Sequence, residues 1–189
     1  MNSLKLTSRI GCRCYDSDVM EPSQGASPSA VLFLGASPPP WGGVFTDRTG
    51  KLVRATIDSL VKEEDKARRY TAGSGPMSTM SKGKRFMYSV HCHAGKLDKD
   101  IINRCAGGVT HAAITRCNPR VILAMGNDPL RSLGINSSAK KVRGHTLSTQ
   151  INGQKYVVVP TISPVALIKD GAGLFSMFRS DIKLSLIHI

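Results

Sequence analysis

The sequence predicts an α/β domain, a three-layer sandwich with a central, mainly parallel four-stranded sheet. Short apolar runs recur at Ala30–Leu34, Arg85–Val90, Val121–Met125 and Tyr156–Val159. They have strand length. Longer amphipathic stretches alternate with them, as the crossovers of a parallel sheet require. Each run also ends in a chemically distinctive loop: GASPPP after the first, HCH around Cys92, MGND around Gly126 and PTISP from Pro160. Parallel strands bring their carboxyl ends to one edge, so a single cleft built from these loops is expected there.

The first strand breaks at Gly35 into a loop in which Pro38, Pro39 and Pro40 remove three backbone donors. Gly42 and Gly43 then let the chain close on Phe45. A helix follows over Leu52–Arg69, with Leu52, Ala55, Ile57, Leu60 and Val61 near one face. Tyr70–Lys84, rich in Gly, Ser, Thr and Met, reads as a mobile insertion before the second strand. The next helix spans Asp98–Cys117 and is weakened or broken at Gly107 and Gly108. After the third strand, Asn127 caps a short helix with Pro129 in its first turn and Gly134 at its end. A last helix includes Asp181–Lys183. The terminal Leu184–Ile189, LSLIHI, resembles the reading of a transposon-end sequencing adaptor. The domain is accordingly expected over residues 1–183, with a native chain that continues beyond it.

Composition narrows the partner. The 189 residues carry 26 Lys+Arg against 13 Asp+Glu, a formal net charge of +13 and a pI near 9.9. That excess favours a polyanion, with DNA backbone the leading candidate. The charge is distributed: Lys82, Lys84 and Arg85 precede one strand, Arg116 and Arg120 bracket another, and Lys140, Lys141 and Arg143 form a third group. We assign the last three to DNA binding. No apolar run reaches the roughly 20 residues of a membrane span, and Met1–Leu6 is too short for a signal peptide. A cytoplasmic protein of a bacterial or phage-infected cell is the expectation.

The order G-x-x-P, G-x-x-F-T, G-K-L, two cysteines, N-P-R-V-I-L-A-M-G-N, R-G and V-V-P-T-x-x-P resembles the iron-sulfur type of the uracil-DNA glycosylase superfamily, as found with phage-type DNA polymerases. The resemblance runs from about Cys12 to Lys183. It implies DNA as partner, polymerase or exonuclease domains in the same native chain, and an enzyme that flips a deaminated base from DNA and hydrolyses its glycosidic bond. It assigns Gly35, Ala36, Phe45 and Tyr88 to substrate binding, with Phe45 as the aromatic that stacks on the base. Ser163 and Asp47 are the catalytic candidates.

Three positions depart from the family pattern. Ala36 stands where an acid commonly positions water, and Tyr88 aligns with the asparagine that reads uracil. Ser163 aligns with the histidine that stabilises charge on the departing base. A hydroxyl donates one hydrogen bond but supplies no positive charge, so weak or lost activity is expected. The alternative is a non-catalytic accessory domain of a polymerase.

The resemblance also aligns Cys12, Cys14, Cys92 and Cys105 with four cluster ligands, implying a 4Fe-4S cluster. Here the first pair is C-x-C rather than C-x-x-C, and the later pair is more closely spaced than usual. Zinc on the same four thiolates, or no metal, are the alternatives. Cys117 reads as a core thiol.

Overall fold

Strand β2 (Val31–Gly35) is buried at every position, and its side chains divide strictly by parity. Val31 and Phe33 join one core cluster while Leu32 and Leu34 join another. The same division splits β4 (Val121–Met125), with Val121, Leu123 and Met125 on one side and Ile122 and Ala124 on the other. Two packed faces explain why these runs are continuously apolar: side chains alternate across a sheet that has no wet side. The structure, a computed structural model, describes residues 24–25, 27–40, 43–72, 83–93, 96–170 and 172–187.

Helices cover both faces. Helix α1 (Arg48–Ala72) sets Val53, Ile57, Leu60 and Val61 against the first cluster. α6 (Pro164–Asp170) adds Leu167, and α7 (Ala172–Ile187) adds Phe178, Ile182 and Leu186 to the same face. Helix α7 thus runs through Leu184–Ile187, the part of the LSLIHI segment that is described. The opposite face is covered by α3 (His111–Cys117) through Ile114 and Cys117, and by α4 (Asn127–Ser132) through Leu130. Helix α5 (Ala139–Val142) contributes Ala139 there.

Among the described residues the sheet is mixed and has six strands, in the order β1-β3-β2-β4-β6-β5, rather than the four expected. β3 (Lys84–Tyr88), β2, β4 and β6 (Gln154–Thr161) pair in parallel and correspond to the four apolar runs. Two antiparallel edges complete it: β1 (Gln24–Gly25) on β3 and β5 (Leu147–Ile151) on β6. The β5–β6 hairpin turns on Asn152 and Gly153, at φ 50° and 82°. Asn-Gly is the preferred pair for a two-residue turn with both central residues left-handed, and this signal identifies the edge that hydrophobicity hides.

The expected helix over Asp98–Cys117 is divided. α2 (Lys99–Cys105) starts on Asp98, whose carboxylate accepts from Ile101 N at 2.7 Å, and a wide π-helical turn at Ala106–Thr110 separates it from α3. Gly107 and Gly108 lie in that turn, where a helix without side chains to pack is easily widened. Asn127 does not cap α4: Gly126 holds the cap position, and Asn127 Oδ1 instead accepts from Ala139 N, at 2.8 Å, at the start of α5. Helix α1 ends at Ala72 and β3 starts at Lys84. Most of the expected insertion, residues 73–82, lies outside the described residues. Among those described, no helix is long and apolar enough to cross a membrane.

Candidate functional site

In the strand order, the chain leaves β2 to one side for β3 and returns to the other side for β4. A crevice opens at such a switch point, beyond the carboxyl ends of the strands. A cavity of about 140 Å³ lies there, lined by contributions from all four parallel strands. β2 supplies Gly35 and the following Ala36 to Pro39; β3 supplies Tyr88, β4 supplies Met125, and the loop after β6 supplies Ser163, Pro164 and Val165. The start of α1 closes it with Phe45, Asp47, Thr49 and Gly50. The six residues assigned to catalysis and substrate binding, Gly35, Ala36, Phe45, Asp47, Tyr88 and Ser163, therefore share one cavity. Its volume is close to the roughly 150 Å³ that accepts a benzene ring in an engineered protein core.

Phe45 and Tyr88 form a parallel stack with ring centroids 4.8 Å apart and planes 5° from parallel. The Phe45 N–H donates to Tyr88 Oη at 2.9 Å. Phe45 sits at φ 56°, a left-handed conformation that costs an aromatic residue about 1–2 kcal/mol. Surrounding contacts hold it there. Arg54 Nε donates to Phe45 O at 3.2 Å and Arg54 Nη2 to Val44 O at 2.7 Å, while the guanidinium lies 4.2 Å over the Phe86 ring. Phe86 in turn meets Phe45 in a tilted contact at 5.4 Å. Gly35 is required by this packing, since a Cβ there would lie 2.8 Å from Phe45 Cζ and 3.0 Å from Tyr88 Cδ1.

Asp47 is committed to the helix: its Oδ1 accepts from Gly50 N at 2.9 Å and its Oδ2 from Thr49 N at 3.3 Å. This carboxylate caps α1, whose exposed N–H groups it satisfies, so its remaining lone pairs alone face a ligand. Ser163 lies just past β6, and its carbonyl accepts from Ala166 N in the first turn of α6. Among the described residues that line the cavity there is no Lys, Arg or His. Negative charge developing on a bound group would meet neutral donors and the Asp47 carboxylate.

The HCH loop does not line the cavity; it braces the loop that does. Ser89 N donates to Gly35 O, Val90 N to Ala36 O and Ser89 Oγ to Ala36 O, at 2.8–2.9 Å, and His93 Nδ1 lies 3.1 Å from Pro38 O. His91 is buried, its Nε2 has no hydrogen-bond partner among the described residues, and burial lowers its pKa to about 4.

Cys92 and Cys105 lie in one small apolar cluster with Val90 and Ile102, each buried to 3% exposure. Cys92 is disulfide-bonded, whereas Cys105 and Cys117 form no disulfide. The Cys117 thiol donates to Ile114 O at 3.4 Å, and burial pushes its pKa up, as befits a core residue. Cys12 and Cys14 lie outside the described residues. Among those described, no group of three or more His, Cys, Asp or Glu side chains is arranged to hold a metal ion.

The basic trio does not act as a unit. Lys140 and Lys141 are exposed on α5, but Arg143 turns inward. Its Nε and Nη2 donate to the buried Asp181 carboxylate at 3.1 and 3.0 Å, and Nη2 also reaches Met177 O at 3.3 Å. Thr161 Oγ1 donates to Asp181 Oδ2 at 2.8 Å. A guanidinium spent on a carboxylate presents little to a phosphate, so Arg143 belongs to the fold. No family model matches the chain, and no curated protein matches it.

Proposed function

We propose that this chain is a DNA-binding domain of uracil-DNA-glycosylase-like design whose cavity receives an extrahelical base and hydrolyses its glycosidic bond slowly or not at all. The observation that carries this reading is the convergence of Gly35, Phe45, Asp47, Tyr88 and Ser163 on one ring-sized cavity at the switch point of a parallel sheet. The formal charge of +13 supports a phosphate-backbone partner. Slow chemistry follows from the lining. A departing base anion needs a positive or strongly donating group, and one such contact is typically worth roughly 3 kcal/mol, or about a hundredfold in rate. Ser163 supplies a single neutral donor.

A working glycosylase for deaminated bases is the second reading, favoured by the presence of both Asp47 and Ser163 on the cavity wall. On the first reading the domain would serve as an accessory to polymerase or exonuclease domains. A 4Fe-4S cluster on Cys12, Cys14, Cys92 and Cys105 belongs to the same proposal, supported by the burial of Cys92 and Cys105 in one cluster. A cluster would pin the N-terminal segment to the domain. The Cys92 disulfide and a cluster are alternative fates of one thiol.

Single-turnover assays on uracil- and hypoxanthine-containing DNA, single- and double-stranded, separate the two readings. We expect salt-sensitive binding with excision slow or undetectable, and faster uracil excision by Ser163→His, still short of a full enzyme because Ala36 and Tyr88 remain. Fast excision by the wild type, unchanged in Ser163→Ala, would move catalysis to Asp47 and refute the accessory role.

A further inference from the structure

Strand β5 ends the sheet with one side unpaired. The two-residue turn at Asn152 and Gly153 makes Ile151 and Gln154 the closing hydrogen-bonded pair of its hairpin with β6. Bonded and non-bonded pairs alternate along an antiparallel ladder, so Leu147, Thr149 and Ile151 spend their backbone groups on β6 while Ser148 and Gln150 direct theirs outward. Among the described residues no backbone group answers them. Sheets ordinarily protect such an edge with a lysine, a proline, a bulge or brevity. β1, at the other edge, is two residues long, but β5 has five in unbroken register, Leu-Ser-Thr-Gln-Ile, with neither charge nor proline.

The surroundings of this edge have one sign of charge. From Pro129 to Lys169 the sequence holds six Lys or Arg and no Asp or Glu. Lys140, Lys141 and Lys155 are exposed, and Asp181, which Arg143 meets, is buried. Lys155 stands opposite Gln150 in the ladder and shares its face of the sheet, whereas half-buried Leu147 lies on the other face, against the second core cluster. We propose that the outer edge of β5 docks an extended acidic segment of a partner protein, which adds to the sheet as a further strand. Its backbone would bond Ser148 and Gln150, its carboxylates would lie on the Lys155 face, and alternate apolar side chains would cover Leu147. The added strand would run two strand spacings, about 10 Å, from β6, within reach of an extended lysine and glutamate together. A second copy of this chain is disfavoured at the same edge, because it would set one acid-free basic surface against another. The inference is independent of the cavity and of any reaction in it.

Amide NMR titrations of the full chain with a blocked heptapeptide alternating glutamate and valine test it. The Ser148 and Gln150 amides should shift and gain protection from hydrogen exchange. A peptide alternating lysine and valine should bind at least about tenfold more weakly, and Lys155→Glu should narrow or invert that preference. The glutamate peptide N-methylated at alternate amides keeps its charge but not its donors, and should lose most of its binding. Gln150→Pro removes an outward N–H that the fold does not use and should do the same. If that variant melts, the N-methylated peptide and Lys155→Glu decide the matter. No binding, shifts confined to Lys140 and Lys141, full binding by the N-methylated peptide, or a preference unmoved by Lys155→Glu overturns the inference. Protection of Ser148 and Gln150 that rises with protein concentration in the absence of peptide would assign the edge to a second copy and overturn it as well.

Discussion

A buried imidazole with an unsatisfied nitrogen makes His91 a conditional contributor to stability. Its environment favours the neutral ring, holding the folded-state pKa near 4 against an ordinary value of 6.5. Between those two pH values the unfolded chain binds a proton that the folded chain refuses. Stability is therefore complete above pH 6.5 and is lost as the pH falls toward 4, by about 2 kcal/mol at pH 5. His91→Leu removes both the titration and the orphaned Nε2. Urea midpoints measured at pH 7 and pH 5 should fall for the wild type and stay nearly level for the variant; matching slopes would show that His91 is hydrated in the folded protein. The other site residues divide by how much of their role is local. Gly35, Phe45 and Ser163 sit where strand ends and loop chemistry put them, and their convergence on the cavity was legible from the alternation of apolar runs. Met125 opens the MGND segment expected at that edge but was not singled out within it, because the last residue of an apolar strand looks the same whether it faces core or cavity. Nor was the Phe45–Tyr88 stack, which joins residues separated by 43 positions through a hydrogen bond to a backbone group.

Among the elements, the strands with two buried faces announced themselves and the edges did not. β5 shows alternating partial exposure in Leu-Ser-Thr-Gln-Ile, and β1 is two residues of Gln-Gly, so neither carries an apolar run. The long-range tie that holds the last helix is equally silent in sequence. Asp181 on α7 meets Arg143, just past α5, and Thr161 at the end of β6, across 38 and 20 residues. Burial pushes the Asp181 carboxyl up, while Thr161 and Arg143 pull it back down. Side-chain exposures of 2% for Asp181 and 23% for Arg143 put this pair among those where losing one partner is costly. We expect Arg143→Ala to destabilise the domain by about 3 kcal/mol at neutral pH, because a buried carboxylate is left unpaired. The deficit should shrink on acidification: the lone carboxyl would have a still higher folded pKa and be readily protonated, so the variant regains stability as the pH falls. Equal denaturation midpoints for variant and wild type at pH 7 would mean that solvent reaches Asp181 and replaces the guanidinium.

At the scale of the whole molecule, charge and chemistry are separated in space. The domain carries a formal excess of 13 positive charges, yet the described residues that line its cavity include no basic side chain. Such a division suits the proposed role, a basic surface for polyanionic backbone and a recess whose one charged lining group among the described residues is Asp47, and on that proposal affinity would be an ionic-strength effect. Each phosphate neutralised releases condensed counterions, lowering the logarithm of the binding constant by about 0.9 per tenfold rise in salt for duplex DNA and about 0.7 for single strands. Lys140 and Lys141 are exposed neighbours on α5, whereas Arg143, in the same basic segment, is occupied by Asp181. Replacing the two lysines by Ala should therefore flatten the salt slope by about one to two, with little change in thermal stability. Arg143→Ala should instead lower stability and leave the slope of the surviving folded protein close to wild type. This double contrast distinguishes a DNA-facing lysine pair from a general loss of positive charge, which would flatten the slope equally for all three residues. A slope unchanged by removal of both lysines would place the backbone contacts on another face, and Arg48 and Lys51, exposed at the start of α1 beside the cavity, would be the next pair to replace.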